Sequence, residues 1–268
     1  MSEMIFDTHA HYFDKRFCEL GGAREILESR EFKETVCGVI NVGTNCDNAA
    51  RCLEQVAEYD FMYAAVGIHP SDAQTECKLS PEQEMDRLRS IIGDEDNRKK
   101  QKIVAVGEIG YDYYWHPVNK ELQKYYFEAQ MKLAGELGLP VIIHDREAHA
   151  DTLDMICAHR DVVGVLHSCS MSAEMVKEIV RRGWYVSFSG PLTYKNAQRV
   201  REACAAVPLD RLLVETDAPY LSPVPYRGKI NNSLYMQSTL SEAARIHGVS
   251  FDEMARITAN NARALFRI

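Results

Sequence analysis

Short apolar runs alternate with longer polar stretches of helical spacing along almost the whole chain. The runs are MIFDTHA (4–10), CGVINVG (37–43), MYAAVGIHP (62–70), IVAVGEIG (103–110), LPVIIHD (139–145), GVLHS (164–168), WYVSFSG (184–190) and RLLVETD (211–217). Between them, residues 119–138 and 172–183 are the clearest helix candidates, the second opening on Ser172 and closing on Gly183. Strand–helix alternation requires a parallel sheet, because each return crosses over through a helix. We therefore expect an α/β fold in which residues 1–268 form a single-domain (β/α)8 TIM barrel.

A doubly wound open sheet is the competing topology. Such a sheet usually carries a glycine-rich loop after its first strand, whereas this chain has DTHAHYFD there. Neither G-x-G-x-x-G nor G-x-x-x-x-G-K-[ST] occurs anywhere in the sequence. The barrel is therefore favoured. No linker separates domains, and GDEDNRKKQ (93–101) is interpreted as a polar hinge of ordinary loop length.

Composition limits the environment and the partners of the chain. The 268 residues are 46% hydrophobic and 26% charged, which is typical of a globular protein. The apolar runs are shorter than the roughly 20 residues that cross a bilayer, and no secretory signal is visible, so we expect a cytoplasmic protein with no membrane partner. The eight cysteines form no C-x-x-C pair, so any metal should be held by imidazole and carboxylate. A net charge of −8 argues against a broad basic face for nucleic acid but is compatible with a cleft that binds one or two phosphates.

Histidines and acids fall where the apolar runs end. His9 and His11 close the first run, His69 the third, Glu108 the fourth, His144 the fifth, His167 the sixth and Asp217 the eighth. In a barrel these ends meet at one rim, where barrel active sites lie. Taken singly, an imidazole here could be a satisfied core histidine, and a carboxylate could be a helix cap. Their joint placement favours a metal centre.

Six ligands exceed what one tetrahedral ion uses, so we expect two divalent ions, either Mg²⁺, Mn²⁺ or Zn²⁺. One ion would take His9, His11 and Asp217, the other His144 and His167, with Glu108 bridging the two. Two such ions can activate a shared water and hold both oxygens of a displacement at a phosphodiester. Asp217 could accept the proton from that water as general base, which makes Asp217 and Glu108 the candidate catalytic residues. Glu215 is expected to orient a ligand.

The motifs around these residues resemble those of the TatD family of metal-dependent deoxyribonucleases, over essentially the whole chain. The matching segments are DTHAH, GIHP, VGEIGYDYY, PVIIHDREA, YVSFSG, LLVETDAPYLSPVP, RGK and the closing NARALF. The resemblance implies an amidohydrolase-type barrel that hydrolyses DNA, as single strands or near strand ends. It implies the same ligands, namely His9, His11, Glu108, His144, His167 and Asp217. Related barrels carry a carboxylated lysine on the fourth strand, whereas this chain has Glu108 there, as TatD proteins do.

Two loops depart from the family pattern. After His167 the chain reads HSCSMS, where the family commonly has His-Cys-Phe-Ser/Thr-Gly, and after the eighth strand RGKINNSLYM replaces a proline-bearing continuation. Both loops are expected on the rim of the barrel, so these departures bear on substrate preference more than on the metal ligands. Substrate contacts are predicted at His69, Arg146, Arg227 and Lys229, because loops after strands seven and eight often hold phosphate and arginine matches its oxygens.

Three alternatives remain at this point. The same centre could hydrolyse an ester or amide, such as a lactone or an aminoacyl-tRNA. The barrel could be a catalytically silent binding module, although its complete ligand set weighs against this. Cys169 beside His167 could be a nucleophile, but no third residue that would orient such a pair is identifiable. No obligate protein partner is evident from the sequence.

Overall fold

The computed structural model describes residues 3–268 and alternates strands with helices as the sequence predicts. The strands are β1 (Ile5–Ala10), β2 (Val36–Val42), β3 (Met62–Val66), β4 (Ile103–Asp112), β5 (Val141–Arg146), β6 (Gly164–Leu166), β7 (Tyr185–Phe188) and β8 (Leu212–Val214). The helices are α1 (Ala23–Leu27), α2 (Arg30–Thr35), α3 (Cys46–Glu58), α4 (Pro70–Thr75), α5 (Pro81–Ile92), α6 (Glu95–Gln101), α7 (Lys120–Leu137), α8 (His149–Ala158), α9 (Ala173–Arg181), α10 (Gln198–Ala206), α11 (Met236–His247) and α12 (Phe251–Phe266). Short 3-10 helices cover Lys15–Leu20, Gly190–Thr193, Leu209–Arg211 and Ser233–Tyr235.

The eight strands follow one another across a single sheet in the order of the chain. A doubly wound sheet would reverse its strand order partway along the chain, and no such reversal occurs among residues 3–268. The end of β1 also pairs in parallel with the residues after β8, through Ala10 and Ala218. This order is that of a (β/α)8 barrel, so the predicted fold class is confirmed.

Residue contacts group the chain into two compact units. The first runs up to Asn41 and continues over His167–Arg267, so it contains β1, β7 and β8. The second is Val42–Leu166 and contains β3 to β6. Each unit therefore contains strands whose carboxyl ends carry polar side chains.

The two clearest helix predictions are confirmed. Helix α9 begins after Ser172, whose side chain accepts a hydrogen bond from the Met175 amide, and Gly183 follows its last turn. Helix α7 begins after Asn119 and is closed by Gly138 in the left-handed conformation at φ 63°. The local capping signals therefore located both helices.

The interpretation of residues 93–101 as a hinge is wrong, because α6 occupies most of the segment. The Asp94 side chain caps this helix by accepting from the Asn97 amide. Acidic residues fill its first turn and basic residues its last, which suits the helix dipole. None of its residues is buried, so the apolar periodicity that reveals most helices was absent.

Strands β4 and β5 approach each other closely at the site. Gly110 pairs with His144, and a β-carbon at Gly110 would lie 2.0 Å from the His144 carbonyl oxygen. Its φ of 142° is also one that residues with side chains rarely adopt. Glycine is therefore required beside a candidate ligand. Within residues 3–268, none of the helices has the length and hydropathy of a membrane span.

Candidate metal centre

His9 and His11 bring their imidazoles together at the end of β1. The two Nε2 atoms lie 3.1 Å apart, and both side chains are buried. The Oδ1 atom of Asp217, just past β8, lies 3.4 Å from the His11 Nε2 and 3.7 Å from the His9 Nε2. Two imidazole nitrogens and a carboxylate oxygen at this spacing are a donor set suited to a divalent cation.

The position and charge of Asp217 are fixed by its surroundings. Its amide donates to the His9 carbonyl at 2.9 Å, and its φ is 59°. Burial alone would raise the pKa of Asp217, but the hydrogen bond with His11 and the neighbouring imidazoles outweigh that effect and hold the pKa below its ordinary value. The carboxylate is therefore charged beside the two histidines.

His167 joins the same unit's cluster and is oriented by Glu215. Its ring stacks on that of His9, with centroids 4.1 Å apart. Glu215 Oε1 lies 3.1 Å from the His167 Nδ1 and accepts the Ser168 amide at 2.7 Å. Glu215 Oε2 is buried and has no hydrogen-bond partner among residues 3–268. An unbalanced buried carboxylate oxygen fits a site that holds a cation.

The Asp7 side chain links β1 to the residues after β8 through hydrogen bonds. Its Oδ1 accepts from the amides of His9 and Thr216, and its Oδ2 accepts from the hydroxyls of Thr216 and Ser233. Burial raises the pKa of Asp7 to about 6 despite these donors. Alternation along β1 puts Asp7 in the layer below His9, whereas no local sequence pattern indicates Thr216 or Ser233 as its partners.

The second unit brings Glu108, His144 and His69 together. Glu108 Oε1, on β4, lies 2.8 Å from the Nδ1 of His144 on β5 and 3.6 Å from the Nε2 of His69. The rings of His69 and His144 meet edge to face, with centroids 4.4 Å apart. The His69 Nδ1 accepts the Ser71 amide and so caps α4. Its Nε2 edge is thereby turned to Glu108.

Asp112, the last residue of β4, also belongs to this cluster and is not among the ligands predicted from the sequence. Its Oδ2 lies 3.1 Å from the Nε2 of His144. Burial would raise the pKa of Asp112, but the hydrogen bond and charge of His144 outweigh it and lower the pKa. Both nitrogens of His144 thus face carboxylates, yet a neutral imidazole donates from only one. A proton on the second nitrogen, or a cation bound there, would satisfy the other carboxylate.

The four-residue spacing between Glu108 and Asp112 was the available signal. Residues i and i+4 of a strand share a face. The apolar run ends at Gly110, whereas β4 continues to Asp112, so the pattern of runs does not indicate this residue. His69, Asp112 and His144 each offer a ligand atom within 4.8 Å of the others. In the first unit, His9, His167 and Glu215 likewise each offer a ligand atom within 4.8 Å of the others.

Comparison with known proteins decides the family. The family model described as TatD related DNase matches residues 6–267. The chain belongs to the TatD family. YabD of Bacillus subtilis, named an uncharacterized metal-dependent hydrolase, is 38% identical and covers 99% of this chain and 100% of its own. YcfH of Escherichia coli, named likewise, is 33% identical over 98% of this chain and 96% of its own.

A solved structure supports the same conclusion. The TatD homologue YjjV of Escherichia coli superposes with a TM-score of 0.88 at 28% identity, covering 98% of each chain. This TatD-family chain is therefore a metal-dependent hydrolase with an amidohydrolase-type fold.

Three of the four predicted substrate contacts of this TatD protein, Arg146, Arg227 and Lys229, are exposed to solvent. Arg146, at the end of β5, is exposed and places its guanidinium carbon 3.7 Å from the centroid of the Tyr114 ring. Arg227, also exposed, lies over the Tyr194 ring at 4.0 Å. Lys229 is exposed, with its ammonium 5.7 Å from the Tyr226 ring centroid. The contacts of all three with a substrate stay predictions.

The loop after His167 departs from the TatD pattern in sequence and is held by hydrogen bonds. The hydroxyls of Ser168 and Ser189 lie 2.7 Å apart, and the Cys169 amide donates to the Ser187 carbonyl at 2.9 Å. The Cys169 side chain is buried in this loop. The burial of the thiol within this hydrogen-bonded loop disfavours nucleophilic catalysis by Cys169.

Proposed function

We propose that this TatD-family hydrolase cleaves phosphodiester bonds of single-stranded DNA near strand ends, using two divalent ions. The observation that carries the proposal is the pair of imidazole–carboxylate clusters, one in each unit, at the carboxyl ends of the strands of a TatD barrel. Family membership supports hydrolysis, and the exposed arginines beside aromatic rings support an anionic substrate.

The donor sets of both clusters fit divalent ions. His9, His11 and Asp217 would hold one ion, and Glu108 with His144 would contribute to the other. The bridging role of Glu108 and the assignment of His167 to the second ion stay predictions. Ions bound there would supply positive charge to the phosphate and lower the pKa of a water molecule.

Residues of the chain itself would carry the proton and position the substrate. The Asp217 carboxylate, which lies beside His9 and His11, would accept the proton of the attacking water as general base. Glu215 fixes the His167 ring through Nδ1, which leaves Nε2 for a ligand role. Arg146, Arg227 and Lys229 would contact phosphates, and His69 would contact the substrate from the end of β3.

The direct test is hydrolysis by protein stripped with chelator and reloaded with Mg²⁺, Mn²⁺ or Zn²⁺. Single-stranded DNA, duplex DNA, RNA and a lactone are compared, with end-labelled strands to locate the cut. We expect close to two ions per chain by elemental analysis and the fastest turnover on single-stranded DNA, abolished by chelator. Preference for the lactone or for RNA, or reconstituted protein without metal, would contradict the proposal.

A further inference from the structure

An exposed cluster, which we call the aromatic platform, combines Tyr114 and Trp115, which follow β4, with Arg146 at the end of β5. Trp115 is 58% exposed and Tyr114 is 43% exposed, and their rings meet edge to face with centroids 4.9 Å apart. The guanidinium carbon of Arg146 lies 3.7 Å from the Tyr114 ring centroid and 5.5 Å from that of Trp115. Tyrosine and tryptophan are enriched at binding surfaces, because each ring combines an apolar body with a polar group.

The platform is attached directly to the candidate metal centre. Asp112 Oδ1 accepts the Tyr114 amide at 2.9 Å and the Trp115 amide at 3.4 Å, while its Oδ2 contacts His144. Arg146 lies two residues beyond His144 on β5 and pairs with Asp112 across the sheet. One carboxylate therefore sets the position of both the ligand histidine and the platform.

The chemistry of the platform matches one nucleotide of a single strand. An indole face stacks on any base, because every base has a π-face, and a guanidinium binds a phosphate by charge-assisted hydrogen bonds. A chain of net charge −8 attracts a polyanion only through local cations such as Arg146. We infer that Trp115 is a stacking surface for an unpaired base and that Tyr114 holds Arg146 against the phosphate of the same nucleotide.

This inference rests on the proposed function, since it names how the same site takes its substrate. It also predicts a preference that the metal ligands alone do not give. A base within a duplex is already stacked on its neighbours, so the platform selects strands that are unpaired near the scissile phosphate.

Tryptophan fluorescence tests the stacking without any cleavage. The chain has two tryptophans, Trp115 and Trp184. Because Trp184 is buried at 1% exposure, quenching of fluorescence by a bound strand reports on Trp115. The metal-loaded protein is titrated with a phosphorothioate oligothymidylate, which resists hydrolysis, and with an abasic strand of the same length. We expect saturable quenching by the oligothymidylate alone. Equal quenching by the abasic strand, or none by either, would overturn the inference.

Variants of Trp115 test the same surface by kinetics. Trp115→Ala should raise KM for single-stranded DNA roughly 5-fold to 100-fold, in line with the loss of one stacked base. Turnover of a small phosphodiester without a base should not change, which also shows that the variant folds. Trp115→Phe should restore most of the affinity, and Tyr125→Ala, which removes another exposed aromatic on α7, should have no effect.

The outcomes separate the two proposals. An unchanged KM in Trp115→Ala, or a Trp115→Phe variant as impaired as the alanine variant, would show that the ring is not used. Wild-type protein that cleaves no DNA with any metal would refute the proposed function instead. The quenching experiment still decides the stacking in that case, because it requires binding and not hydrolysis.

Discussion

Glu215 holds the Nδ1 edge of His167 at 3.1 Å and keeps its own second oxygen buried without a hydrogen-bond partner among residues 3–268. Such a carboxylate fixes the ring and raises the basicity of a metal-binding histidine. We expect Glu215→Gln to weaken divalent-ion affinity roughly 10-fold to 100-fold, measured by calorimetric titration of the stripped protein. Glu202→Gln, an exposed change on α10, is the matched control. Unchanged ion affinity would leave Glu215 a structural residue only.

A second prediction concerns Asp217 as the acceptor of the proton from the attacking water. Asp217→Asn keeps the size of the side chain but removes its basicity, so we expect turnover of DNA to fall about 100-fold or more. Asp210→Asn, seven residues earlier and exposed, should leave turnover unchanged. Metal content must be measured in parallel, since loss of an ion would mimic loss of the base. Near-normal turnover with full metal content would remove Asp217 from the mechanism.

A third prediction concerns Arg227 and the salt dependence of DNA binding. A substrate that meets only about one to three cations gives a log–log slope of binding against salt of roughly −1 to −2 for a single strand. Arg227→Ala should raise KM for DNA and flatten that slope, while hydrolysis of a small phosphodiester stays nearly unchanged. Arg24→Ala, an exposed arginine on α1, is the control. A steep slope, or no effect of Arg227→Ala, would place recognition on other residues.

Asp72 gives a prediction about how the stability of the protein depends on pH. Burial raises its pKa above 3.8, although the Thr44 hydroxyl and the Asn45 side-chain amide donate to it. The folded state therefore binds a proton more readily than the unfolded state, so this contribution to stability is present below pH 3.8 and is lost as pH rises through the folded pKa. Urea unfolding is measured at a series of pH values across this range. As the pH rises, the free energy of unfolding should fall less in Asp72→Asn than in wild type. Parallel pH profiles in the two proteins would refute the assignment.

The barrel and its strand ends could be predicted because each candidate ligand interrupts an apolar run. His144 and Glu108 stand out within VIIHD and VAVGEIG for this reason. Asp112 does not, since it lies among tyrosines beyond the run, and only the length of β4 brings it to His144. Helix α6 lacks a buried face, so capping and charge define it instead of periodicity. Thr216 and Ser233, which both donate to Asp7, lie more than 200 positions away from it, a relation that no local pattern contains.

Gly110 sets a limit on how this protein can be engineered. Any side chain at that position would push the backbone of β5 away from β4 and with it the His144 ring from Glu108. Selection for new substrates should therefore leave this glycine unchanged and vary the loop 113–118 instead. That loop carries exposed side chains whose replacement alters what is recognised while the strands beneath keep their spacing.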